Sequence, residues 1–209
     1  MTNQLVLLSQ ITMKQPSPAI DTFFHNVFRH IHIDQTVLRS LTPELRIKEY
    51  PRKSYLLTAG ERWSKLFFIE QGLIRLFYAD LDGKESNKSF FREQQCIWPV
   101  APYDREQQAL FNVAAVEKTL VIECPFQSLY DLLNQHGLWT QFALPFAEKL
   151  IEQKFQREHD FLLLSATERF EKFSVTYPDI VRRLPDYHLA SYLGITNVSL
   201  SRIKRAASR

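Results

Sequence analysis

The sequence predicts an α+β protein: a β-rich body, then a long helix, then a closing pair of short helices. Three observations predict it. Between Leu45 and Glu123, short runs rich in β-branched and aromatic residues alternate with glycine or charged turns. From about His136 to Ser165 apolar residues recur at helical spacing. The chain then closes on "LASYLGITNVSLSRIK", residues 189–204, where a small residue, a glycine and a leucine stand as in two helices meeting at a fixed angle.

Taken in order, residues 1–20 read as a polar extension carrying Pro16 and Pro18. From Asp21 a helix is expected, with Phe24, Val27, Phe28 and Ile31 on one face, and Thr42-Pro43-Glu44 as a turn or helix start. "SYLLTAG", "KLFFIEQG", "LIRLFYADLDGKE", "NKSFFRE" and "AAVEKTLVIECP" read as strands. Gly60, Gly72 and Gly83 supply corners, and "DLDGK" is a hairpin turn. Short strands at this spacing predict a sandwich, roll or barrel rather than a parallel sheet.

After Pro125 the helical period returns in "FQSLYDLLNQ". In the long helix Leu144, Ala147, Ile151, Phe155 and Leu162 form a stripe that needs a partner, either its own sheet or a second copy. Pro145 either starts this helix or kinks it. A further helix from about Ala166 to Thr176 has Ser165 or Thr167 as its cap.

Composition excludes several classes. No stretch approaches the roughly 18–20 apolar residues of a membrane span. The first residues lack a basic head and a small-residue cleavage site, so no secretory signal is expected. Cys96 and Cys124 are the two cysteines; they imply no disulfide framework and a cytoplasmic location. The histidines, His25, His30, His32, His136, His159 and His188, all fall outside the strands, which argues against a cupin-like metalloenzyme. No phosphate-cradling glycine loop and no nucleophile–base pair is suggested, so no catalytic residue, metal or cofactor is assigned.

The net charge is +3, yet residues 182–209 carry six basic groups against Asp186 alone, leaving the rest of the chain mildly acidic. A polyanion partner at that end is the physical implication. There, Leu189 and Leu193 point inward on one short helix and Gly194 takes the left-handed position at its end. Thr196 or Asn197 caps a second helix, 197–206, with Leu200 and Ile203 inward. That spacing is a DNA-reading helix-turn-helix. The DNA-facing candidates are Thr196, Asn197, Ser199, Ser201, Arg202, Lys204 and Arg205, whose hydroxyls and cations suit phosphates and base edges.

With β-rich body, long helix and helix-turn-helix in that order, the chain resembles the Crp/Fnr family of bacterial transcription regulators. "TAGERWSKLFFIEQGLIRLFYADLDGKE" and "LSATERFEKF…YPDIVRRLPDYHLASYLGITNVSLSRIKR" carry the resemblance, which runs from about Asp21 to Arg205. It implies an antiparallel β-roll of the cyclic-nucleotide-binding type over 21–135 and a long dimerisation helix over 136–165. A helix-turn-helix domain over 166–209 follows, the whole forming a homodimer on a palindromic double-stranded DNA site. The chain ends just past the recognition helix, so the β-hairpin wing of many relatives is expected to be missing.

The departures are equally specific. Relatives that bind cyclic AMP use a Gly-Glu pair and a following Arg, whereas no glycine lies between Gly83 and Gly137 here and Gln108-Ala109 stand where that Arg would be. Cyclic AMP is therefore not the expected effector; Trp98, Tyr103 and Arg105 are candidates for holding another small molecule, though an exposed loop arginine is the plainer reading of Arg105. Iron–sulfur sensing needs about four thiolates and has no support. In the recognition helix Asn197 and Val198 replace the Arg and Glu that often read bases in the family, so the usual target does not carry over. They also keep open a dimeric ligand-binding or scaffold protein with a degenerate helix-turn-helix.

Overall fold

The structure, a computed structural model, describes residues 17–207. Most of the expected N-terminal extension, and Arg209, lie outside the described residues. Among those described, the body is made of β1 (Arg46–Tyr50), β2 (Tyr55–Leu57), β3 (Lys65–Gln71), β4 (Ile74–Ala79), β5 (Glu85–Phe91), β6 (Cys96–Ile97), β7 (Asn112–Ala115) and β8 (Thr119–Pro125). They form two four-stranded sheets, ordered β1-β8-β3-β6 and β2-β7-β4-β5, and every pairing is antiparallel. This is the roll that the short strands predict.

β3 and β8 sit at the centre of their sheet, with Phe67 opposite Glu123 and Ile69 opposite Val121. Successive side chains leave a strand on opposite faces. One face therefore sends Phe67, Ile69 and Val121 into a core between the sheets, beside Trp63, Ile74 and Phe111. The other sends Leu66, Phe68, Ile122 and Cys124 under a layer of helices. Burial on both faces explains why "LFFI" of β3 is apolar without interruption and why "VIEC" of β8 is broken only by Glu123, itself buried. The turn from β3 to β4 depends on Gly72, at φ +110°, where an added Cβ would come 2.7 Å from Thr119 Cα.

The helices covering that outer face are α1 (Pro18–Phe28) and α4 (Phe126–Gln135), with the start of α5 (Trp139–Leu163). α1 begins at Pro18 rather than Asp21, because proline suits a first helical turn. It buries Phe23, Phe24, Val27 and Phe28. α2 (Gln35–Arg39) starts on Asp34, whose carboxylate accepts the Thr36 N–H at 2.7 Å. The Thr42–Glu44 turn is a short 3-10 helix. α3 (Pro102–Glu106) lies within the stretch expected to be loop. Pro145 is inside α5 and does not end it.

α5 stops at Leu163, and α6 (Ala166–Thr176) starts on a capping box: Ser165 Oγ accepts the Glu168 N–H, and Glu168 Oε2 accepts the Ser165 N–H at 2.7 Å. α7 (Pro178–Arg183), α8 (Asp186–Leu193) and α9 (Asn197–Ala207) complete the chain. Phe170, Phe173, Ile180, Leu184, Leu189 and Leu200 form a third core, which also takes in Leu73 and Val116 from the roll. The stripe on α5 is not packed on its own sheet: Leu144, Ile151, Phe155 and Leu162 are exposed, Phe155 at 68%.

Candidate nucleic-acid interface

α8 and α9 meet as the spacing requires. Ala190 is buried where the helices approach, beneath Leu189, Leu193 and Leu200. Gly194 has φ +69°, and the Ile195 N–H reaches back to the Ala190 carbonyl at 3.0 Å, closing α8. Thr196 caps α9, its Oγ1 accepting the Ser199 N–H at 3.1 Å and lying 2.9 Å from Ser199 Oγ. Two of the candidate hydroxyls are thus engaged with each other.

Leu200 faces inward at 0% exposure, whereas Val198 on the opposite side is 62% exposed. Val198, Arg202 and Arg205 follow at i, i+4 and i+7, one exposed stripe. Asn197 and Thr196 are exposed beside it, while Ser199, Ser201 and Lys204 are half-buried. Lys204 Nζ is paired with Asp186 Oδ1 of α8, so its charge serves the helix pair first. All seven candidates therefore lie on α9 or its cap, and Asn197, Arg202 and Arg205 present the most open polar groups.

How α8 is held carries no local signal in the sequence. β5 is the edge strand of its sheet, and its outward backbone groups are met by side chains of the terminal helices. Ser191 Oγ donates to the Glu85 carbonyl at 2.9 Å and accepts the Asn87 N–H at 3.0 Å. Asn87 Nδ2 donates to the His188 carbonyl at 3.2 Å and lies 3.3 Å from His188 Nδ1. Arg75, buried and bidentate on Glu85, also donates to Asn87 Oδ1 at 3.2 Å. Burial, with the charge of Arg75 second, pushes the His188 imidazole down to about 4.

A second tie lies on α7, where Arg183 donates to Glu93 at 2.8 and 3.0 Å and to Glu117 at 2.6 Å. Burial works against ionising Glu93, but the hydrogen bonds from Arg183 win and hold its carboxyl below the usual range.

The trio expected to hold an effector is divided between the aromatic core and the surface. Trp98 is buried, stacked on Phe126 at 5.9 Å and edge-on to Trp139 at 5.5 Å. Arg105 is not an exposed loop arginine. It sits on α3, 5.0 Å from the Trp139 ring, and donates to the Pro99 carbonyl at 2.9 Å and to that of Val100. Tyr103 is exposed on α3. Sequence proximity put the three together, but the aromatic core claims two of them.

A cavity of ≈ 520 Å³ opens instead at the mouth of the roll, lined by Lys48, Tyr50, Arg62, Trp63 and Lys65 among others. Its lysines face a buried carboxylate: Lys65 Nζ lies 2.5 Å from Glu123 Oε2 and Lys48 Nζ 4.0 Å from Oε1, while Tyr50 Oη donates to Oε1. Among the described residues no group of three or more His, Cys, Asp or Glu could hold a metal ion, and no helix is long and apolar enough to cross a membrane. Cys124 is buried in the outer core with Cys96 against it, and burial pushes both thiols up to about 12.

A two-sheet antiparallel roll, a long helix and a helix-turn-helix thus follow one another along the chain. Residues 47–136 match the family model for the cyclic nucleotide-binding domain. The fold is similar to that of CLP from Xanthomonas campestris, described as a c-di-GMP responsive global regulator: TM-score 0.64, 12% identity, 84% of this chain and 92% of that one. It is similar to a CooA variant from Carboxydothermus hydrogenoformans, TM-score 0.65 and 14% identity, over 87% of this chain and 82% of that one. FixK2 from Bradyrhizobium japonicum aligns at TM-score 0.63 and 18% identity, covering 78% and 83% respectively. No curated protein matches the chain. The chain carries a cyclic nucleotide-binding-type domain within the fold of the Crp/Fnr regulators, as the sequence resemblance implied.

Proposed function

We propose that this chain is a DNA-binding transcription regulator of the Crp/Fnr type, acting as a homodimer on a palindromic operator. The observation that carries the reading is the outward stripe of α9, with Arg202 and Arg205 exposed over a wholly buried Leu200. Guanidinium groups on such a face suit phosphates and guanine edges in a major groove. The exposed apolar residues of α5 supply the dimer seam: Leu144 and Ile151, then Phe155 and Leu162, repeat at seven residues as a helix–helix contact needs. Pairing there would set two copies of α9 about 34 Å apart, one turn of duplex. The roll, lacking the cyclic-nucleotide phosphate clamp, senses another small molecule or none.

Duplex binding at two salt concentrations tests this. Affinity is expected to fall by about two orders of magnitude or more over a fourfold rise in salt, through counterion release. Arg202→Ala is expected to cost about 1–3 kcal/mol if its fork reaches a base. A second reading, a dimeric scaffold whose helix-turn-helix no longer binds DNA, draws on apolar Val198 at the head of the stripe. A salt-independent response would favour it.

A further inference from the structure

One guanidinium touches all three parts of the molecule. Arg157, on α5, donates from Nη1 to the Lys88 carbonyl at 3.3 Å, and from Nη2 to the carbonyls of Asn87 at 3.3 Å and Tyr192 at 2.9 Å. Its plane lies 4.2 Å from the Tyr192 ring and 4.9 Å from that of Phe161. Lys88 and Asn87 belong to the edge strand β5, and Tyr192 to the last turn of α8. Carbonyls at a sheet edge and at a helix C-terminus are the groups that regular structure leaves without partners. A planar fork presents fixed donors on separate nitrogens and so spans three separated carbonyls at once, whereas the three donors of a lysine ammonium radiate from one nitrogen on a flexible stem.

The position matters because α8 leads directly into α9. Gly194, two residues after Tyr192, rests on Phe161 of α5, so the same two turns of the long helix hold both the end of α8 and the start of the turn. Ser191 and His188 fix the other side of α8 to Glu85 and Asn87.

We propose that Arg157 is a positioning residue for DNA recognition, fixing α8, and with it α9, in an orientation set jointly by the long helix and by strand β5. Its effect on operator choice rests on the DNA-binding reading above; the clamp itself does not.

Hydrogen exchange on the full chain, comparing wild type with Arg157→Lys and Arg157→Leu, tests the clamp. Amides of α8, α9 and residues 85–88 are expected to exchange about tenfold faster in both variants, with β3 and β8 unchanged. A lysine variant that exchanges like wild type would overturn the proposal, since charge alone would then suffice. So would faster exchange throughout the roll, the mark of a general structural role, or no change anywhere.

The second readout is the ratio of affinities for a duplex selected from a random pool by wild type and for its scrambled counterpart. That ratio is expected to fall about tenfold in both variants, while low-salt binding to the scrambled duplex stays within about threefold, because the phosphate-facing cations are untouched. An unchanged ratio despite loosened helices would sink the role in recognition. Should wild type select no duplex, the DNA reading fails by itself, and the exchange pattern alone decides whether Arg157 is the clamp.

Discussion

Gly194 lies against the ring of Phe161, so closely that an added Cβ would stand 2.6 Å from Phe161 Cε1. The helix-turn-helix is therefore pressed onto the end of the long helix at its turn. Gly194 is required twice, once by its φ of +69° and once by this contact.

Gly194→Ala is expected to destabilise by about 1–2 kcal/mol from the left-handed backbone alone, with a further contribution from the ring. In a Phe161→Ala background the second contribution disappears. Urea midpoints of the four proteins in this cycle measure it, and strict additivity would show that the contact carries no energy.

Gly72→Ala is expected to be worse, because the obstruction is backbone. Thr119 Cα lies 2.7 Å from the new Cβ, beside Thr119 Oγ1 at 2.5 Å, so rotating the side chain alone does not relieve the clash. A loss of about 3 kcal/mol or more follows, whereas Gly83→Ala, with nothing within 4 Å, is limited to its φ strain. Thermal unfolding of both variants ranks them.

His188 predicts a pH dependence of stability. Burial first and Arg75 second hold its folded value at about 4, against 6.5 for an ordinary imidazole. Above 6.5 neither folded nor unfolded chain is protonated there, and stability is full. Between 6.5 and about 4 the unfolded chain takes up a proton that the folded one refuses, so stability falls with falling pH. The loss approaches about 3 kcal/mol by the lower limit, at ~1.4 kcal/mol per pKa unit. Glu93 and Glu123, held below the ordinary 4.5, add to the loss from about that pH downward, at the foot of this window. Denaturant unfolding of wild type and His188→Gln across this window should give a sloping and a flatter curve; parallel curves would refute the assignment.

The exposed seam on α5 predicts oligomeric state. Ile151→Glu with Phe155→Glu places like charges where two helices are proposed to meet, and neither residue packs in a core of its own protomer. Sedimentation should shift from dimer to monomer with the roll's thermal stability retained, and duplex affinity should drop with it. A wild type that sediments as a monomer removes the dimer from the reading.

Local patterns were legible in the sequence, and long-range ones were not. The helix pair could be read because its requirements sit within a dozen residues: a left-handed glycine, a small residue at the crossing and an inward Leu200. The apolar runs of β3 and β8 announced strands, whereas β1, "RIKEY", did not, being an edge strand with four of its five residues exposed. Nothing signalled the seam between β5 and α8. Asn87 and Ser191 are each ordinary surface residues by type, and they meet across 104 positions of chain. Trp98 and Arg105 are ambiguous for the opposite reason, since residues that suit a ligand are also those that fill an aromatic core.

The third core has a consequence for how the molecule can be divided. Leu73 and Val116 belong to the roll, yet they pack among Phe170, Leu184 and Leu189 of the terminal helices. A fragment cut at residue 166 would carry away a hydrophobic surface with part of its filling left behind, and the roll would keep the complementary scar. Although the chain reads as modules in series, the roll and the terminal helices share one interior and should melt in a single transition.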